Sequence, residues 1–73
     1  MAHDPSTNPR TTSVAAELHV IVDQAERLRE RVGSLAEPLL GGDRDDLVAA
    51  IHEAERQLLM ATRSLQRALK TAR

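Results

Sequence analysis

Apolar side chains recur along the first half of the chain in alternating steps of four and three residues. They are Val14, Leu18, Ile21, Ala25, Leu28, Val32, Leu35 and Leu39. This seven-residue repeat is typical of helices that pack side by side, with Leu18, Ala25 and Val32 at position a and Val14, Ile21, Leu28 and Leu35 at position d. Thr12 or Ser13 is a suitable N-cap, so the pattern predicts a helix over residues 13–37.

The same alternation of four- and three-residue steps recurs in the second half of the chain. Its apolar residues are Leu47, Ile51, Ala54, Leu58, Ala61, Leu65, Ala68 and Ala72. Position a is now held by Ile51, Leu58 and Leu65, and position d by Leu47 and the three alanines at 54, 61 and 68. The repeat predicts a second helix over residues 44–72, similar in length to the first.

The segment between the two repeats, EPLLGGD, predicts a reversal of the chain. Pro38 has no amide proton and ends the first helix, while Gly41 and Gly42 permit the positive φ angles of a tight turn. Asp43 is a good N-cap for the second helix. Because a short connection makes two helices antiparallel neighbours, we expect an all-α fold, an antiparallel helical hairpin over residues 12–73 with a loop at 38–43.

The first eleven residues carry none of this periodicity. Apart from Met1 and Ala2 they are polar residues and prolines, a composition that cannot form a packed core. Residues 1–11 are therefore predicted to form a disordered N-terminal tail.

Positions a and d would form the seam of the hairpin, and the row at position e beside them is also apolar. The predicted protein interface consists of the e-row residues Ala15, Val22, Ala36, Val48 and Leu69, with Val20, Leu59 and Met60 further round as an extension or a separate site. Arg29 and Glu55 interrupt the e row and are expected to form an ion pair within the hairpin. Since a two-helix seam cannot bury so wide an apolar surface, we expect two hairpins to form a four-helix bundle. The alternative is that these short side chains stay exposed.

The composition of the chain favours association over a self-sufficient monomer. At 73 residues the chain is one small domain, and it has no cysteine and no aromatic residue. Domains of this size bury little core and usually need a disulfide, a metal or a partner. Disulfides are excluded here, so a partner chain is the remaining source of stability.

Several function classes are disfavoured by the same composition. A net charge of −1 and the lack of aromatic residues argue against nucleic-acid binding. The apolar runs are too short to span a membrane, and the N-terminus does not resemble a signal peptide, so a cytoplasmic location is expected. His19 and Asp23 share a helix face, but two ligands are too few for a structural metal site. Every a and d position is apolar, so we expect no catalysis, cofactor or small-molecule substrate.

The sequence thus predicts a non-catalytic protein–protein interaction module that self-associates and serves as an adaptor or scaffold. A second interpretation is a small accessory or regulatory subunit that completes the core of a larger partner protein. The two differ in one observable property, because only the self-associating module folds as a purified chain.

Overall fold

The computed structural model describes residues 9–72 and contains two long helices packed against each other. Helix α1 is Pro9–Ala36 and helix α2 is Asp45–Ala72, each of 28 residues, and a 3₁₀ turn at Glu37–Leu39 follows α1. The predicted all-helical hairpin is confirmed. Residues 1–8 of the predicted tail, and Arg73, lie outside the described residues.

Helix α1 begins at Pro9, earlier than the predicted start at residue 13. Proline is well suited to the first helical position, because the nitrogen there has no intrahelical acceptor and the ring presets a helical φ. Thr12 and Ser13 therefore lie inside the helix and do not cap it. Residues 9–11, predicted to be part of the tail, extend α1.

The turn after α1 is formed by the EPLLGGD segment, from which a reversal of the chain is predicted. Helix α1 ends at Ala36, and Pro38 lies in the 3₁₀ turn, where its missing amide proton costs no helical hydrogen bond. The amide of Leu40 donates to the carbonyl of Glu37, and that of Gly42 to the carbonyl of Leu39, each at 3.2 Å. Gly41 has a φ of +79°, a conformation that glycine adopts without steric cost.

Helix α2 begins one residue later than predicted. The amide of Val48 donates to the carbonyl of Arg44 at 3.0 Å, so residue 44 lies just before the helix, in the place predicted for Asp43. Asp45 and Asp46 occupy the first turn, where their charges suit the helix dipole, and Lys70 lies in the last turn.

The hairpin is a single layer of helices. Its radius of gyration is 17.8 Å, whereas a compact domain of this length has about 11 Å. Stable domains normally pack two layers around a shared core. A single layer leaves both of its broad faces uncovered, and the residues on those faces decide what the chain can bind.

Candidate interaction surface

The contact between the helices is centred on position e, not on positions a and d. The buried side chains of the described residues are Val22, Ala36, Val48, Thr62 and Leu69, none more than 9 % exposed. All five belong to the e row. The e row is predicted above to be an apolar flank of the hairpin that another chain covers, and four of its five predicted interface residues are instead buried between the chain's own two helices. The fifth, Ala15, is half-buried.

Short side chains explain this rotation of the seam. The e row is mainly alanine, valine and threonine, which let two helix axes approach more closely than a row of leucines does. The hydroxyl of Thr62 donates to the carbonyl of Leu58 at 2.7 Å, so its burial leaves no unpaired donor. The alanines at 54, 61 and 68, which were predicted to line the seam, are instead exposed.

The rotated seam turns the d row outwards and leaves the a row at its edge. The exposed d-row side chains are Val14, Ile21, Leu28, Leu35 and Leu47, between 37 % and 62 % exposed. The a-row residues Leu18, Ala25, Val32, Ile51, Leu58 and Leu65 are half-buried. Because e faces e in this antiparallel pair, the a and d rows of both helices lie on the same side of the hairpin. We call these fourteen residues, from Val14 to Ala68 at positions a and d, the apolar face.

Helical geometry places position g at the outer edge of the apolar face. On α1 the g residues are Arg10, Glu17, Gln24 and Arg31, and on α2 they are Ala50, Gln57, Ser64 and Thr71. An apolar centre with a mostly polar rim is the arrangement found in protein–protein interfaces. The apolar face therefore has the composition of a docking surface along its whole length.

The opposite side of the hairpin carries charge. Its side chains form local pairs, including Arg27 with Asp23 at 2.8 Å and Arg56 with Glu53. One hydrogen bond crosses between the helices there, from Gln66 to Glu26 at 3.3 Å. Exposed charged side chains are compatible with water, so this charged side does not require a covering layer.

Arg29 and Glu55 bring charge into the seam near the loop. Among the described residues, no ion pair joins the charged groups of these two side chains. Glu55 lies 3.9 Å from Nε2 of His52, and Nε of Arg29 is buried without a hydrogen-bond partner among the described residues. The carboxylate of Glu55 lies directly over Gly33, where an added Cβ would be only 2.8 Å from Oε2.

The other predicted interface residues lie away from the apolar face. Val20 and Met60 are exposed at position c, and Leu59 is half-buried at position b. Their role in an extended or separate interface stays a prediction. Sequence reasoning missed the d row as the exposed surface, although its large residues, recurring every seven positions, were visible in the repeat.

Asp23, considered with His19 as a metal ligand, is paired with Arg27. Within residues 9–72 no group of three or more histidine and acidic side chains could hold a metal ion. No helix in the same range is long and apolar enough to cross a membrane. Comparison of the chain with protein-family models, curated proteins and solved structures finds no match.

Proposed function

We propose that this chain is a non-catalytic protein–protein interaction module that self-associates through its apolar face into a four-helix bundle and serves as an adaptor or scaffold. The observation that carries the proposal is the exposed d row on a hairpin only one helix thick. The heptad repeat predicts that the d-row side chains are buried, but in the hairpin they lie on the exposed surface. A second pair of helices on the apolar face would complete a two-layer core.

The dimensions of the apolar face suit a second hairpin. From Val14 to Leu35 the face is roughly 32 Å long at about 1.5 Å per residue. Two helices with axes about 10 Å apart give it a width of roughly 20 Å. The projected area is thus on the order of 600 Å², and a corrugated surface of that outline approaches the ~800 Å² per partner of a stable interface.

The energetics point in the same direction. Transferring a fully exposed valine, leucine or isoleucine into a core contributes about 1.5–3 kcal/mol, so each half-exposed d-row residue would contribute about 1 kcal/mol on association. Five such residues per copy, four in a regular row on α1 and one on α2, form an extended apolar surface of a kind that monomeric proteins rarely expose.

Sedimentation equilibrium of three proteins tests the proposal: wild type, Leu28→Glu and Val20→Glu. Both substitutions place a carboxylate on α1 at sites of similar exposure, 47 % and 51 %, but only Leu28 belongs to the apolar face. We expect wild type and Val20→Glu to sediment as dimers and Leu28→Glu as a monomer, because a buried unpaired charge is costly.

A monomeric wild type with low helicity would contradict self-association. In that case the apolar face would be covered by a different chain, as in the accessory-subunit interpretation. Dimers that survive Leu28→Glu but not Val20→Glu would place the interface on the outer side of α1, around position c.

A further inference from the structure

We propose that the partner on the apolar face is a second copy of this chain in one orientation, with the two loops at the same end and α1 of each copy over α2 of the other. The inference rests on the proposed self-association and adds the geometry of the pair. The two-fold axis would then run parallel to the helices. The order of large and small residues across the apolar face carries this assignment.

Across the apolar face the four rows differ in size. The d row of α1 forms one outer edge and contains Val14, Ile21, Leu28 and Leu35. The d row of α2 forms the other outer edge and contains three alanines after Leu47. The two a rows lie between them. Side chains therefore project further from the apolar face along its α1 edge than along its α2 edge, and we call these the raised edge and the low edge.

Two face-to-face arrangements of two copies have two-fold symmetry and antiparallel neighbours throughout. With the axis parallel to the helices, the raised edge of each copy lies over the low edge of the other. With the axis perpendicular to the helices and parallel to the plane of the hairpin, the loops lie at opposite ends. The raised edges of the two copies then face each other, and so do their alanine edges. The first arrangement fills the interface evenly, whereas the second leaves a gap along the alanine edge.

The register of the hairpin supports the first arrangement at each layer. The carboxylate of Glu55 lies over Gly33, so these two residues lie at about the same height along the hairpin. Leu28 is then level with residue 60, one position from Ala61, a distance of about 1.5 Å along the axis. The same offset relates Leu35 to Ala54 and Ile21 to Ala68. Three consecutive large residues would each lie opposite an alanine of the second copy.

Charge on the rim does not reverse this preference. Loops at opposite ends would bring Glu17 of one copy near Arg31 of the other, an attractive pair. Both residues are exposed, and exposed ion pairs contribute little to association. Packing along three layers therefore decides the orientation.

Distance measurement between spin labels distinguishes the two arrangements. The chain has no cysteine, so single labels can be placed at Asp43→Cys in the loop or at Lys70→Cys near the end of α2, both exposed. With loops at the same end, two Asp43 labels are separated by little more than the spacing of helix layers, about 10 Å plus the label arms. With loops at opposite ends, about 40 Å of helix separates them.

The mixed dimer provides the matched control. An Asp43-labelled copy paired with a Lys70-labelled copy should give the long distance in the proposed arrangement and the short distance in the alternative. A long Asp43–Asp43 distance with a short mixed distance overturns the orientation and leaves the proposed self-association intact. A monomer in sedimentation, with no distance between copies, overturns both.

A size exchange gives an independent test on the same layer. Leu28→Ala and Ala61→Leu should each raise the dissociation constant of the dimer roughly 10- to 100-fold, by leaving a cavity or overpacking. If Leu28 lies opposite Ala61 of the second copy, the double variant should return to within roughly 10-fold of wild type. Additive losses in the double variant would show that these two rows do not meet.

Discussion

The carboxylate of Glu55 lies against the backbone of α1 at the one glycine of that helix. An added Cβ at Gly33 would lie 2.8 Å from Oε2 and 3.2 Å from Cδ of Glu55. Glycine costs about 1 kcal/mol relative to alanine inside a helix. Gly33 therefore lowers the helix propensity of α1 and leaves room for the carboxylate of Glu55, a flexible side chain that can move.

Gly33→Ala should stabilise the protein less in the wild-type background than in a Glu55→Ala background. With Glu55 removed, the full propensity gain of about 1 kcal/mol becomes available. With Glu55 present, part of that gain is lost in displacing the carboxylate. Urea unfolding of the four proteins at one concentration measures this coupling. Equal gains in both backgrounds would mean that Glu55 does not lie over Gly33 in solution.

Asp46, in the first turn of α2, should make stability depend on pH. Its hydrogen bond from Arg44, at 3.1 Å, and one from the backbone of Leu47 hold the pKa of this exposed carboxyl below its ordinary value of 3.8. A lowered folded-state pKa means that the charged form is favoured by folding. The contribution is complete above pH 3.8 and is lost as the pH falls through the folded-state pKa.

Asp46→Asn should therefore lower the melting temperature near neutral pH, and its difference from wild type should disappear at acid pH. Thermal melts across the acid range measure this, and an NMR titration of Asp46 measures the pKa directly. Arg44→Ala should move the titration midpoint upwards. An unchanged midpoint in Arg44→Ala would assign the shift to the helix terminus alone.

At the scale of the elements, the loop depends on a left-handed residue. Gly41 has a φ of +79°, and the space around its Cα is open, so a substitution there meets backbone strain without a clash. Gly41→Ala should destabilise by about 1 kcal/mol, and Gly41→Asn by less, because asparagine tolerates this conformation better. Chemical unfolding compares the two variants, and equal losses would point to a loop that changes its conformation.

The two helices and the turn between them could be predicted from the sequence, because the apolar repeat, Pro38 and the glycine pair act locally. Which row of side chains forms the contact between the two helices could not be predicted. Positions a and d are apolar throughout and position e is mostly so, and together these are three of the seven positions of the repeat. A heptad repeat shows which rows of side chains prefer burial, but it does not show whether the same chain or another chain buries them. The short side chains of Val22, Ala36 and Val48 decided the contact within the hairpin.

The Arg29–Glu55 pair shows a second limit of the pattern. Facing positions in a heptad diagram predict proximity of two helix sites. Whether the charged ends meet depends on side-chain rotamers, on neighbours such as His52, and on the room that the missing side chain of Gly33 leaves for Glu55. None of these three features is visible in the spacing of apolar residues.

At the scale of the whole molecule, the e row and the d row should respond differently to the same substitution. Val22 is buried between α1 and α2, whereas Leu28 is about half exposed. Val22→Glu places a charge in the seam and should destabilise the hairpin by more than about 3 kcal/mol. Leu28→Glu should leave the seam intact and act through association. Circular dichroism at low temperature should show less helix in Val22→Glu than in Leu28→Glu, and the reverse order would mean that the seam is the a/d pair after all.

Wild-type protein should also melt at a temperature that rises with its concentration. Association that binds only the folded form shifts the unfolding equilibrium by mass action. A melting temperature independent of concentration over a wide range would contradict a dimer that shares its core.

The single-layer architecture has a consequence for the lifetime of the chain in a cell. Under the proposed self-association, a single hairpin is open to proteases until another copy binds it, and the chance that a given copy meets another grows in proportion to the copy number. Degradation of such a chain should be fast when few copies are made and slow when many are. The protein would then accumulate above a threshold of synthesis, and its own packing would act as a sensor of its abundance.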